Sequence, residues 1–268
     1  MRRRFLITGV FVLLLLMIVA VVLWSFQKSA ADSTQNQEVN TVKPKGEILI
    51  SPEVLQEDAP DGSYTINVSY PVITLTEDAA KTITTNEFID SLIQEEIKNF
   101  LSQLSPDSYI EEKVASSYEM NYTITYSDIN YLGIDFVIST YSSGAAHPYT
   151  YNKTVLYSIN DGKEVSLANV FTDKNYLNQL SEKSRASLKQ TARDSDYWDD
   201  SIGEWIDSGT APKTENFQAF ILTSGLMTLI FPPYQVDSYA AGSKKVEIPL
   251  DSLTGLSSVG KYFLNLKN

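Results

Sequence analysis

The amino-acid sequence predicts an α+β protein: two small subdomains with antiparallel sheets and helices packed on one face, behind one N-terminal transmembrane helix. Three observations predict it. Residues 5–24 are uncharged and apolar and follow Arg2, Arg3 and Arg4. Beyond residue 46, several segments alternate apolar and polar side chains with the period of a strand. Segments with helical spacing fall between blocks of such strands rather than alternating with them one for one, which is the order of an α+β chain.

The run FLITGVFVLLLLMIVAVVLW, residues 5–24, is long enough to cross a bilayer, since twenty helical residues rise about 30 Å. The three arginines before it favour the cytoplasmic side. Trp24 and Phe26 suit the outer interface. Ser29-Ala30-Ala31 would serve a cleavable signal peptide, but the apolar run exceeds the ~7–15 residues of a signal core. The expectation is a cytoplasmic stub and anchor over residues 1–28, single-pass in the cell membrane, with the C-terminal part extracellular. Residues 29–46, SAADSTQNQEVNTVKPKG, are polar and aperiodic and read as a flexible linker. The two subdomains are expected at residues 47–156 and 157–268.

Within the first subdomain, YTINVSYPVI (64–73) puts Ile66, Val68 and Tyr70 on one face, with Pro71 marking an edge or bulge. Residues 84–106 place Ile89, Leu92, Ile93, Ile97, Phe100, Leu101 and Leu104 on one helical face. Thr84 and Glu87 fit a capping box at its start, and Pro106 blocks its continuation. An antiparallel meander follows: Tyr118 to Tyr126, Leu132 to Ile138, and Tyr149 to Ile159, each alternating. Asn160-Asp161-Gly162-Lys163 reads as a turn. In the second subdomain, residues 171–190 bury Tyr176, Leu177, Leu180 and Leu188 in a helix opening on a Thr172 cap. Trp198, Ile202, Trp205 and Ile206 mark a shorter helix. FQAFILT and LMTLIF are joined by Ser224-Gly225, a tight hairpin signal, and KKVEIPL is the last strand.

Composition narrows the chemistry. The chain has no cysteine and one histidine, His147, so a thiolate site, a cysteine nucleophile and a multi-histidine zinc site are excluded. No Gly-x-Ser-x-Gly elbow, Walker loop or dinucleotide fingerprint is present. Asp194, Asp196, Asp199 and Asp200 lack the Gly and Glu of an EF-hand loop and read as a solvated face. Without Arg2, Arg3, Arg4 and Lys28, 17 of the 21 basic residues remain against 33 acidic ones, a net charge of −16 outside the membrane. Phosphate would be repelled, so nucleic acid is not expected as a partner. No cofactor or metal is expected either.

Three stretches carry a resemblance: YTINVSYP, then SSGAAHPYTYNKTVLYSINDGKEVSLANVF, then LIFPPYQVDSYAAGSKKVEIPL. Over roughly residues 47–256 they resemble the paired exterior domains DUF4163 (residues 47–156) and DUF3298 (within 157–268). The resemblance implies α+β subdomains outside a bacterium that recognise something at the cell wall. In that family such domains occur in an anti-sigma factor whose exterior part binds lysozyme, and in a membrane-bound peptidoglycan deacetylase. Only four residues precede the apolar run, and the chain ends just after the last family strand, so neither a sigma-binding region nor a deacetylase domain is expected.

The expected function is therefore a membrane-anchored extracellular module that recognises lysozyme-like basic wall hydrolases or peptidoglycan, and not an enzyme. A carboxylate-dependent wall hydrolase is the alternative. His147 lacks nameable catalytic partners and is expected in a turn at a binding face. The candidate ligand-binding residues are Ser143, Gly144 and His147 in one connection and Pro232, Pro233, Tyr234 and Tyr239 in another. The prolines restrict their backbone before binding, and the tyrosines offer amphipathic contact area with few rotors.

Overall fold

The computed structural model describes residues 46–104, 114–195 and 197–266. The expected anchor, and all of the linker except Gly46, lie outside the described residues, as do Pro106 and Asp196. Among the described residues no helix is long and apolar enough to cross a membrane.

The first sheet has six strands in chain order: β1 (Ile48–Asp58), β2 (Tyr64–Leu75), β3 (Ser116–Ser127), β4 (Tyr131–Tyr141), β5 (Tyr149–Ser158) and β6 (Lys163–Glu164). Helix α1 (Ala79–Ser102) connects β2 to β3. The apolar face predicted for α1 is the one it buries: Ile89, Leu92, Ile93, Ile97 and Phe100 pack on Ile66, Val68, Tyr118, Met120, Leu132, Ile134, Phe136 and Ile138. The 3.6-residue period of the helix meets the two-residue period of the strands on one shared face.

Four features differ from the expectations. The pairing of β2 with β3 is parallel, over Tyr64–Val68 with Ser116–Met120, while the other strand pairs are antiparallel. The crossover through α1 is the reason, since a hairpin can join only antiparallel neighbours. Second, β1 has no counterpart among the predicted strands. It is an edge strand with most residues exposed, so it shows no alternation, and its Pro52 lies opposite Pro71 of β2. Pro71 thus sits inside β2, beyond the stretch paired with β3, where it needs to donate on neither side. Third, α1 starts at Ala79, and its cap is Asp78, whose carboxylate accepts from Lys81 N at 2.9 Å. Thr84 lies inside the helix and donates to Lys81 O at 3.2 Å. Fourth, the helix expected to open at Thr172 begins at Tyr176. Thr172 instead donates from its backbone N and from Oγ1 to Gly255 O, at 2.7 and 3.0 Å.

The second core is built by α2 (Tyr176–Asp194), α3 (Asp200–Gly209), a three-stranded antiparallel sheet and α4 (Ser258–Leu264). The sheet's strands are β7 (Ala219–Thr223), β8 (Leu226–Phe231) and β9 (Lys244–Pro249). Ser224-Gly225 closes the β7–β8 hairpin with Gly225 at φ 70°, the left-handed conformation such a turn requires. Leu180, Leu188, Ile206, Phe217, Phe231, Ile248 and Phe263 fill this core.

Strand β5 serves both cores. Val155 and Tyr157 belong to the first and Leu156 to the second. Thr154 Oγ1 accepts from Phe220 N of β7 at 2.8 Å, a buried bond between the two sheets. The expected boundary between residues 156 and 157 falls inside this strand, and residues 45–268 form one compact unit.

Asp128, in the turn between β3 and β4, fastens α4 to the first sheet. Its carboxylate accepts from Tyr262 Oη, from Tyr126 Oη at 2.9 Å, and from the backbone N of Asn130 and Tyr131 at 2.7 and 2.8 Å. Burial pushes the Asp128 carboxyl up, but these hydrogen bonds outweigh it and hold the group below the usual carboxylate value. A depressed carboxylate contributes stability that is fully present above the unfolded value, near 3.9, and is lost as pH falls through the folded one. Asp128→Asn is expected to lower unfolding free energy at neutral pH by about 1–3 kcal/mol and to flatten the loss of stability in acid. Urea unfolding as a function of pH measures both.

Candidate functional site

The two connections singled out in the sequence meet. The His147 ring stacks on Tyr239 with centroids 3.8 Å apart and planes 21° from parallel. Tyr239 Oη donates to Pro148 O at 2.5 Å. Tyr234 lies against the other tyrosine, 5.6 Å between centroids and tilted 30°. His147 Nδ1 is 3.0 Å from Pro148 O, and a carbonyl only accepts, so the Nδ1–H tautomer satisfies this contact. Ser143 and Gly144 shape the connection: Ser143 N donates to Ser116 Oγ at 3.0 Å, and Gly144 takes φ 85° in an exposed turn. Pro233 is buried, and Pro232 lines a groove.

The loop from Pro232 to Gly242 is held by its buried residues. Asp237 is 5% exposed. It pairs with Lys244 Nζ at 3.0 Å, and its backbone carbonyl accepts from Tyr234 N at 3.0 Å. Burial pulls Lys244 down, but Asp237 prevails and holds it above the ordinary lysine value. Gln235 Nε2 donates to Gly209 O and Asn216 O at 2.8 and 2.9 Å. A Cβ on Gly209 would stand 2.0 Å from Gln235 O, so only glycine allows this approach. These contacts hold Tyr234 at φ 71°, a conformation that costs a bulky residue about 1–3 kcal/mol. Tyr234 is 53% exposed. The strain therefore maintains an aromatic surface presented to solvent.

A groove of ≈ 260 Å³ opens next to the platform, between the start of β5 and the segments around Glu215 and Gln235; Tyr149, Tyr151, Asn152, Glu215, Pro232 and Gln235 line it. Tyr149 and Tyr151 stack at 5.7 Å and 27°. A second recess of ≈ 350 Å³ shares Tyr151, Asn152, Gln218 and Ala219 with the groove and adds Glu96, Lys153 and Glu164. Glu96 accepts from Lys153 Nζ at 2.7 Å and from Tyr151 Oη at 3.0 Å. Burial pushes the Tyr151 hydroxyl up. Asn152 Nδ2 donates to both oxygens of the buried Asp135, at 2.9 and 3.1 Å. More than a third of Glu164 is exposed, yet desolvation of its carboxyl outweighs the pull of Lys153 and raises it.

The arrangement offers aromatic faces, fixed amides and carboxylates along one seam. Among the described residues no three His, Asp or Glu side chains gather to hold a metal ion. The sequence pointed to the platform residues but not to Asn152, Gln235 or Glu164, whose roles depend on partners distant along the chain.

Residues 168–251 match the family described as Protein of unknown function (DUF3298). The segment expected to resemble DUF4163, residues 47–156, lies outside that match. The chain is 27% identical over 228 residues to the peptidoglycan-N-acetylmuramic acid deacetylase PdaC of Bacillus subtilis. That alignment covers 82% of this chain and 44% of PdaC, so the chain spans less than half of that protein's length. Two solved structures share the fold. A DUF3298 family member from Bacteroides fragilis has a TM-score of 0.55 at 16% identity, covering 80% of this chain and 95% of that one. A DUF3298 family protein from Pseudomonas aeruginosa has a TM-score of 0.53 at 13% identity, covering 81% and 95%. The α+β fold, rich in antiparallel pairing, is the fold of these DUF3298 structures, and residues 168–251 of this chain match that family.

Proposed function

We propose that this chain is a membrane-anchored, extracellular binding module of the bacterial cell envelope that recognises the glycan of peptidoglycan. One observation carries the reading: the His147–Tyr239–Tyr234 platform unites two loops beside a groove lined by Tyr149 and Tyr151. Aromatic faces cover the apolar C–H face of a sugar ring, and fixed polar groups beside them pair with its hydroxyls and amides. The alignment with PdaC, whose name places its activity on peptidoglycan, supports the ligand class. Glu96 and Asp135 are held by Lys153, Tyr151 and Asn152. The net charge of −16 beyond residue 28 favours a basic wall hydrolase such as lysozyme as a second ligand class.

Pull-down of the full-length protein in detergent micelles with purified sacculi tests the reading. Tyr239→Ala is expected to weaken binding about tenfold or more, as loss of a central aromatic anchor does. His147→Ala should cost less, since Pro148 O still holds the tyrosine hydroxyl. Unchanged binding by Tyr239→Ala would remove the platform from the site. Capture of lysozyme but not sacculi, lost steeply with added salt, would favour the second ligand class.

The anchored topology is checked separately. Protease added to intact protoplasts is expected to remove residues 46–268, and protection of this region would refute an exterior location.

A further inference from the structure

The side chains lining the groove have a common polarity. Asn152 spends its amide nitrogen on the two oxygens of Asp135. Asp135 is 7% exposed. The Asn152 amide is thereby oriented with its nitrogen toward Asp135 and its carbonyl oxygen turned away from that carboxyl group. Gln235 repeats the pattern independently. Its Nε2 donates to two backbone carbonyls, Gly209 O and Asn216 O, again leaving a carbonyl oxygen. Glu215 and Glu164 add carboxylates to the lining of the connected recesses. Lys153 of that lining gives one of its donors to Glu96 at 2.7 Å, and its charge also acts on Glu164. Gln218 has an amide free to turn either way.

The seam therefore carries acceptors at Asn152, Gln235, Glu164 and Glu215, beside the Lys153–Glu96 pair. An N-acetyl group would set its own carbonyl oxygen among them. A protonated primary amine offers three donors and a positive charge, and carboxylates bind it by charge-assisted hydrogen bonds. Resting on the glycan reading above, we propose that the groove selects amino sugars whose nitrogen is free over their N-acetylated forms. The tyrosine rings hold the sugar, and Asn152, Gln235, Glu164 and Glu215 receive its ammonium and hydroxyl donors.

The test compares two oligosaccharides of equal length, a glucosamine hexamer and an N-acetylglucosamine hexamer. Each is titrated calorimetrically into the full-length protein in detergent micelles, below the amine pKa. The free-amine hexamer is expected to bind about tenfold more tightly or better, from one or more charge-assisted hydrogen bonds. Both glutamates are exposed, so Glu164→Gln with Glu215→Gln should keep the fold and reduce the preference to near unity. Equal or reversed affinities in the parent would overturn the amine selection and leave the glycan reading standing. A preference that survives in the double variant would also overturn it, since the cation would then be reading the general negative charge of the surface. Binding of neither hexamer, with an unchanged circular dichroism spectrum, would overturn the glycan reading itself and this inference with it.

Discussion

Strand β5 buries both of its faces over half its length. Val155 and Tyr157 enter the core under α1, while Leu156 enters the core of α2 and the three-stranded sheet. Thr154 accepts the Phe220 backbone N–H between them, so the junction loses neither hydrogen bonding nor apolar packing. From Thr154 to Ser158 every residue is buried, whereas Tyr149 is exposed and Thr150, Tyr151 and Asn152 are half-buried. The sheets are in contact at the C-terminal end of β5 and part toward its N-terminal end. The groove is the space left where they part, and Tyr149, Tyr151 and Asn152 line it because they are the residues of β5 not yet covered.

The same constraint explains why the two recognition loops meet. The β4–β5 connection ends at the open end of β5, and the β8–β9 connection emerges from the facing sheet. The stack of His147 on Tyr239 and the bond from Tyr239 Oη to Pro148 O close the gap from above. Below, Asp237, Gln235 and Gly209 set the backbone that holds Tyr234 in its left-handed conformation. Rings fixed in this way lose little conformational entropy when a ligand docks.

Much of this fold is written in local patterns. The buried face of α1, the alternation of β4 and the Ser224-Gly225 turn follow from periods and turn chemistry within a few residues of each other. What was not legible depends on distant partners. Edge strand β1 has no buried face to produce alternation. The parallel pairing of β2 with β3 follows from the path of α1, and Asp78 and Thr84 are both good cap residues, so composition does not choose between them. The site divides in the same way. Pro232, Tyr234 and Tyr239 stand out in a single loop. The stack of His147 on Tyr239 joins loops far apart in the chain, as the Pro148–Tyr239 separation of 91 residues shows. The orientation of the Asn152 and Gln235 amides depends on Asp135, Gly209 and Asn216, which no period in the sequence brings near.

His147 is the one histidine in the chain, so its imidazole protons give a single set of signals in a proton NMR spectrum of protein without a histidine tag. It stacks directly on Tyr239, in the connection that leads into Tyr149 of the groove. Titration with a soluble wall glycan tests the central claim most directly. The account predicts that this imidazole signal shifts progressively and saturates at the same ligand concentration as binding measured by calorimetry. Saturated binding with the His147 signal unmoved would place the ligand elsewhere and contradict it.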